Sequence, residues 1–145
     1  MITKKIIAAG ILPLCPKTGR ILLVLRGRNQ PSPLTWACWG GKFEDGVDIT
    51  PKDCAKREFK EESMCGELYS ISKKELYMTN SNHLQFWTYL AVFRNEFIPN
   101  IEIEKEAESW GWFHVNNLPE PLLDGFKEML DSRGEDLKKI IAKLK

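Results

Sequence analysis

The chain has 145 residues with 21 basic and 20 acidic side chains, a formal net charge of +1. That length suits one domain and buries about 68–70% of the unfolded surface, enough for a core without disulfide or metal staples. A hydrophobic content of 43% with 28% charged residues excludes a disordered or collagen-like chain, and near-neutral charge supplies no basic field for stable nucleic-acid binding.

Taken in order, Ile6–Leu14 reads as a buried strand, too short for a membrane span of roughly 20 residues. The Met1–Ala9 segment has neither the long apolar core nor the cleavage site of a secretory signal. A cytoplasmic location with reduced thiols and no membrane association is therefore expected. Pro16-Lys17-Thr18-Gly19 marks a turn, and Ile21–Arg26 a second strand that forms a hairpin with the first. Gly27–Pro33 is loop, and the apolar stretch Leu34–Trp39 leads into Gly40-Gly41. Thr50 opens a helix as N-cap, with Pro51 at the first helical position and Asp53 closing a capping box. The helix should run to about Met64 and stop near Gly66. Glu75–Thr79 and His83–Phe93 read as strands, the second central because both its faces are apolar. Trp110–Val115 is a further strand. Leu122–Leu130 and Asp136–Leu144 read as two helices separated by Asp131-Ser132-Arg133-Gly134. The pattern predicts one domain over 1–145, a mixed sheet covered on both faces.

The chemistry concentrates between Gly40 and Gly66. At about 100° per residue, Glu58, Glu61 and Glu62 fall within one arc of the helix, with Cys54 inside it and Ala55 and Phe59 beside it. Lys52, Lys56 and Lys60 lie on a separate face; only Arg57 has the i,i+4 spacing to pair with Glu61. Packing three carboxylates against small and apolar neighbours is unfavourable unless a cation joins them. Mg²⁺ prefers such oxygens and retains waters and substrate phosphates as its other ligands. A solvated acidic helix face accounts for the cluster about equally well on these residues alone.

Gly41-Lys42-Phe43-Glu44-Asp45-Gly46 followed by Arg57-Glu58-Phe59-Lys60-Glu61-Glu62 resembles the signature of the Nudix hydrolases, G-x5-E-x7-R-E-U-x-E-E-x-G-U. The R-E-U-x-E-E core matches in full. Glu108–Phe113 and Asn117-Leu118-Pro119 also look like the family, so the resemblance reaches to about residue 130. Three positions depart from it. The stretch between Gly41 and Arg57 is two residues longer, so the first glutamate falls at Val47 or Ile49 with Asp48 between them as its substitute. Met64 stands where the motif closes with glycine, which implies a remodelled helix end. Trp39 replaces a common proline.

The resemblance implies an α/β fold, the Nudix-type α/β/α sandwich with a mixed β-sheet. It also implies hydrolysis, dependent on Mg²⁺ or Mn²⁺, of a pyrophosphate bond in a nucleoside diphosphate linked to another group. A nucleoside triphosphate or nucleotide sugar is the expected small-molecule substrate. Glu58, Glu61 and Glu62, with the carbonyl of Gly40, match the metal positions. Arg57 would orient a carboxylate, alongside Glu61 and Glu62 in the catalytic set. Glu104, Glu106 and Glu108 are candidates for the base, Glu106 being the one carried forward. Arg26, Arg28 and Gly41 are candidates for substrate contacts, and Tyr77, His83 and Gln85 for a base pocket. Tryptophans 36, 39, 87, 110 and 112 are expected to pack rather than stack on substrate, and the four cysteines to behave as small hydrophobes. A homodimer is an admissible assembly. A catalytically altered Nudix-fold nucleotide-binding or regulatory module is the alternative, opposed by the intact Arg57, Glu58, Glu61 and Glu62 set.

Overall fold

The computed structural model describes residues 4–101 and 107–145. Strand β1 (Ile6–Cys15) turns through residues 16–19 into β2 (Arg20–Arg26), pairing Leu14 with Ile21 and Cys15 with Arg20. Gly19 makes the turn at φ 70°, a conformation that L side chains rarely adopt. Two short strands follow, β3 (Trp36–Ala37) and β4 (Trp39–Lys42), then helix α1 (Pro51–Ser63). Strands β5 (Tyr69–Ile71), β6 (Tyr77–Asn80), β7 (Leu84–Phe93) and β8 (Ala107–His114) precede helix α2 (Asp124–Leu144).

The sheet is mixed. β1 runs parallel to β7 and antiparallel to β2 and β4. β2 also pairs with β3 and β8, and β7 with β5 and β6. The expected central strand is therefore interior to the sheet. Side chains alternate along β1 with period two: Ala9, Ile11 and Cys15 join Cys54, Ala55 and Phe59 of α1 in one core. Leu12 and Leu14 join Phe126, Met129, Leu137 and Ile141 of α2 in the other. One helix thus covers each face, giving an α/β/α sandwich. Among the described residues no helix is long and apolar enough to cross a membrane.

The capping box of α1 forms as expected: the Asp53 N–H donates to Thr50 Oγ1 at 3.2 Å and the Thr50 N–H to Asp53 Oδ2 at 3.0 Å. The helix ends where expected, with Ser63 its last residue and Met64 its cap: Met64 takes the left-handed conformation (φ 56°, ψ 29°) and returns its N–H to the Lys60 carbonyl at 2.9 Å. Ser63 supports the turn, its Oγ donating to the Phe59 carbonyl at 2.6 Å and accepting from the Cys65 N–H at 3.2 Å. The two expected C-terminal helices need correction: they are one, Asp124–Leu144. Gly134 in a helix interior costs about 1 kcal/mol. The single apolar stripe Phe126, Met129, Leu137 and Ile141, all buried, outweighs that. Arg133, read as part of the break, instead anchors the helix, donating to the Leu76 carbonyl and to Asp136. Strands β3, β4 and β5 go beyond the predicted elements; at two to four residues each they are too short to carry a periodic signal of their own.

A side chain at left-handed φ costs roughly 1–2 kcal/mol, less the entropy that glycine loses on folding. Met64 is 64% exposed, so little packing compensates. Met64→Gly should therefore raise stability by about 0.5–1 kcal/mol, seen as a higher urea midpoint at unchanged slope. A lowered midpoint would mean that the methionine contributes contacts outweighing its strain.

Candidate active site

The centre of the site is the crossing of β4 and α1. Gly40 pairs with Gly10 and Gly41 with Ala9 on β1. A Cβ at Gly41 would overlap the Glu58 carboxylate, and one at Gly40 would lie 2.5 Å from the Ala9 carbonyl oxygen and 2.8 Å from the Phe86 ring. Both glycines are required by closeness rather than by backbone angle. They let a helix carboxylate rest directly on the strand.

Arg57 organises the carboxylates. Its Nε and Nη2 donate to Oδ1 and Oδ2 of Asp48, each at 2.8 Å, a two-pronged charge-assisted pair. Nη1 donates to Glu58 Oε1 at 3.0 Å and to Glu61 Oε2 at 3.2 Å, the latter being the i,i+4 pair anticipated from spacing. Nη2 also reaches the Lys42 carbonyl at 3.1 Å. Glu44 lies 3.7 Å away. The Glu58 side chain is 15% exposed and that of Glu61 59%, with Glu62 half-buried on the same arc.

Asp48 resolves the register of the lengthened loop. Its side chain is only 2% exposed, whereas Val47 and Ile49 on either side are exposed. Oδ2 also accepts the Glu44 N–H at 2.9 Å, and the Asp48 N–H returns to the Glu44 carbonyl at 2.9 Å, closing a compact turn through Gly46 at φ 82°. The Arg57 guanidinium holds the Asp48 carboxyl down to about 2, and the same pairing raises Arg57 further above its ordinary value. Nearby, burial pushes the Cys54 thiol up to about 12. That neutral thiol faces the Gly41 carbonyl at 3.5 Å.

Of the other anticipated residues, Arg26 donates Nε to the Pro31 carbonyl at 2.9 Å, and Arg28 Nε lies 3.3 Å from Glu108 Oε1. Glu104 and Glu106 lie outside the described residues. The tryptophans pack as expected. Trp39 is fully buried with Nε1 donating to the Leu22 carbonyl at 3.2 Å, Trp112 Nε1 donates to the Phe97 carbonyl at 2.9 Å, and Trp36 meets Phe113 edge-on. Cys15 and Cys54 are buried, while Cys38 and Cys65 are only partly so.

On the opposite face of the sheet a cavity of about 160 Å³ lies between the strands and the start of α2. Arg26, Cys38, Gly40, Phe86, Thr88 and Phe126 are among its lining residues. Tyr77, His83 and Gln85, anticipated for a base pocket, do not line it. The alternation of β7 gives the cavity Leu84, Phe86 and Thr88 and sends Gln85 to the other face. Tyr77 instead donates its hydroxyl to Glu128 at 2.9 Å. Burial pushes the Cys38 thiol up to about 12, the Thr88 side chain opposing and the Glu62 carboxylate reinforcing the rise. Gly40, in the cavity lining, is the chain neighbour of Gly41, on which the Glu58 carboxylate rests from the other face.

Among the described residues no three acidic, imidazole or thiol side chains already converge as a metal cage. The donor set still suits a hard divalent cation: oxygen donors only, on one helical arc, with glycine backbone alongside. Mg²⁺ takes one or two carboxylates and completes its shell with water and substrate phosphates, so no preformed cage is needed.

The family model of the NUDIX domain matches residues 4–132. Solved structures agree in fold. A MutT NUDIX hydrolase from Burkholderia pseudomallei superposes at TM-score 0.65 and 22% identity, covering 89% of this chain and 98% of that one. The NUDIX domain of Shewanella oneidensis NrtR, solved with ADP ribose, gives 0.72 at 16% identity over 93% and 90%. An Ap4A hydrolase of C. elegans gives 0.65 at 21% identity over 94% and 97%.

The Asp48 pairing has a defined acid signature. Its folded-state value lies below the unfolded one, so its contribution is complete above about pH 4 and is lost as pH falls toward 2. The shift corresponds to roughly 2 kcal/mol. Asp48→Asn should lower stability at pH 7 by about that amount, and the difference from the parent should close between pH 4 and 2. Denaturant titration at stepped pH measures it; a difference independent of pH would show that the charge of Asp48 is immaterial.

Proposed function

The chain belongs to the Nudix family of hydrolases, enzymes acting on phosphoric anhydride bonds, and from that premise we propose that it is a divalent-metal-dependent pyrophosphohydrolase of nucleoside diphosphates linked to a second group. A nucleoside triphosphate or a nucleotide sugar is the substrate class. The observation that carries this reading is the helical arc of Glu58, Glu61 and Glu62, its Glu58 carboxylate resting on Gly41, with Arg57 cross-braced to Asp48. The relatives support the nucleotide class by their own descriptions, one solved with ADP ribose and one named for Ap4A.

Glu58, Glu61 and Glu62, with the Gly40 carbonyl, would hold Mg²⁺ or Mn²⁺. Once bound, the ion supplies charge against the bridging phosphates and lowers the pKa of the attacking water. Arg57 would position Glu58 and Glu61 by holding one oxygen of each. Gly41 leaves the backbone open to an approaching phosphate. Arg26 and Arg28, at the end of β2 and just beyond it, would take phosphate charge on this reading. A carboxylate must accept the proton from water, and Glu62 on the arc and Glu106 before β8 are the candidates.

Glu62→Gln keeps the shape and removes one charge. It should reduce metal-dependent turnover by about 10²-fold or more with an unchanged circular dichroism spectrum. The assay offers nucleoside triphosphates, nucleotide sugars, ADP-ribose and dinucleoside polyphosphates with Mg²⁺ or Mn²⁺, and identifies products by mass spectrometry. Near-normal turnover in the folded variant would overturn the assignment. No cleavage by the parent, with no rise in melting temperature on adding either metal, would favour a binding module on the same fold.

A further inference from the structure

Helix α2 carries one residue that its own fold does not require. Glycine is among the poorest formers of a helix interior, yet Gly134 stands near the middle of Asp124–Leu144. Gly10, Gly40 and Gly41 are demanded by the closeness of their neighbours. At Gly134 the backbone is helical and a Cβ would meet nothing within 4 Å. Alanine would therefore fit and strengthen the helix. What glycine offers here is a close approach from outside the chain.

Gly134 borders a surface groove of about 330 Å³ between α2 and the segment that follows β8. The floor is apolar, formed by Val115, Leu118, Leu130 and Leu137, each buried or half-buried. Asp131, Glu135 and Lys138 on the rim are exposed. An apolar floor within a charged rim is the anatomy of a protein–protein contact. The groove shares no described lining residue with the Phe86 cavity and includes none of the α1 carboxylates.

The charges select the partner. At about 100° per residue, Asp131, Gly134 and Lys138 share one flank of α2 within an arc of about 60°. The acid precedes the glycine and the base follows it. With a two-fold axis at Gly134, a second α2 lies antiparallel to the first. Each Asp131, three residues before the axis, then comes opposite the partner's Lys138, four residues after it. A parallel pair would set acid on acid and base on base. Glycine at the crossing removes the side chains that hold packed helix axes about 8–10 Å apart, so the two apolar floors can close on each other. Within one chain Lys138 lies 3.4 Å from Glu135, an exposed pair worth little, which leaves its ammonium free to turn toward a second carboxylate.

We propose that this flank of α2 is a homodimer interface, in which two copies of the chain pack α2 antiparallel on α2 about a two-fold axis at Gly134, joined by reciprocal Asp131–Lys138 pairs. A contact of this kind is isologous and closes at two copies. It is independent of the proposed activity.

The test is the mass of the full chain in solution, by light scattering or sedimentation, from about 1 to about 200 µM, which covers weak and moderate dimers. The parent should approach twice the mass of one chain at the upper end. Gly134→Glu keeps a good helix former and sets two carboxylates at the axis; it should hold the mass of one chain throughout, with an unchanged circular dichroism spectrum. Asp131→Lys and Lys138→Asp each set like charges opposite one another and should weaken dimerisation by about tenfold or more. The two combined should restore it to within about threefold of the parent. Altered helix stability alone would not give that rescue. If Lys138→Asp fails to fold, Gly134→Glu decides. A parent that keeps the mass of one chain at the highest concentration, a dimer indifferent to Gly134→Glu, or folded charge reversals that fail to rescue each other would each overturn the proposal.

Discussion

The two-pronged pair between Arg57 and Asp48 is the constraint on which the site depends. A guanidinium offers five donors in one plane, and here they are divided among a loop carboxylate, two helix carboxylates and a strand carbonyl. Lysine could not do this, because a point charge has no fork to span partners on three elements. The pair joins the loop after β4 to the middle of α1. It fixes the height of the helix over β4 and therefore the contact between Glu58 and Gly41. It also offsets the repulsion among carboxylates that would otherwise disfavour this face of the helix.

Strand β4 carries the second constraint. Successive residues of a strand point to opposite faces, so Gly41 meets Glu58 on the α1 side while Gly40 meets Phe86 on the α2 side. The pair of glycines thins the sheet at one place from both directions. The Glu58 carboxylate and the Phe86 wall of the cavity thus approach neighbouring residues of β4 from opposite faces. A side chain at either position would separate them, at Gly41 by displacing the helix carboxylate and at Gly40 by displacing the aromatic wall.

How legible this was in the sequence follows the range of each interaction. The start of α1 was readable because Thr50, Pro51 and Asp53 act within one turn. The hairpin of β1 and β2 was readable for the same reason, as was the arc of Glu58, Glu61 and Glu62. The end of α1 was readable to within a residue, although Met64 occupies a left-handed cap that glycine commonly takes. The continuity of α2 was hidden because Gly134 and Ser132 signal a break locally, while the stripe that overrides them is held by Leu76 and the α2-facing side of the sheet, far away in sequence. Asp48 could be named but not chosen, since a loop of altered length gives no register until its partner is placed. The cavity was missed altogether. Its walls come from β2, β3, β4, β6, β7 and α2, and which parity of β7 faced it depends on pairing with β1 that no local pattern reveals.

The proposed chemistry also follows from the arrangement being incomplete. Glu58 and Glu61 each give one oxygen to Arg57, so a cation entering the arc must share its ligands with a guanidinium that cannot lose its proton. Such sharing weakens retention of the bare ion and favours binding when phosphate oxygens supply the missing ligands. On the proposed reading, metal and substrate would therefore bind together. A rigid cage of three converging carboxylates would hold the ion more tightly, but it would leave fewer coordination positions for the phosphates. The bracing of Arg57 by buried Asp48 is consistent with this division of labour. The loop carboxylate fixes the guanidinium, and the guanidinium in turn holds one oxygen each of Glu58 and Glu61.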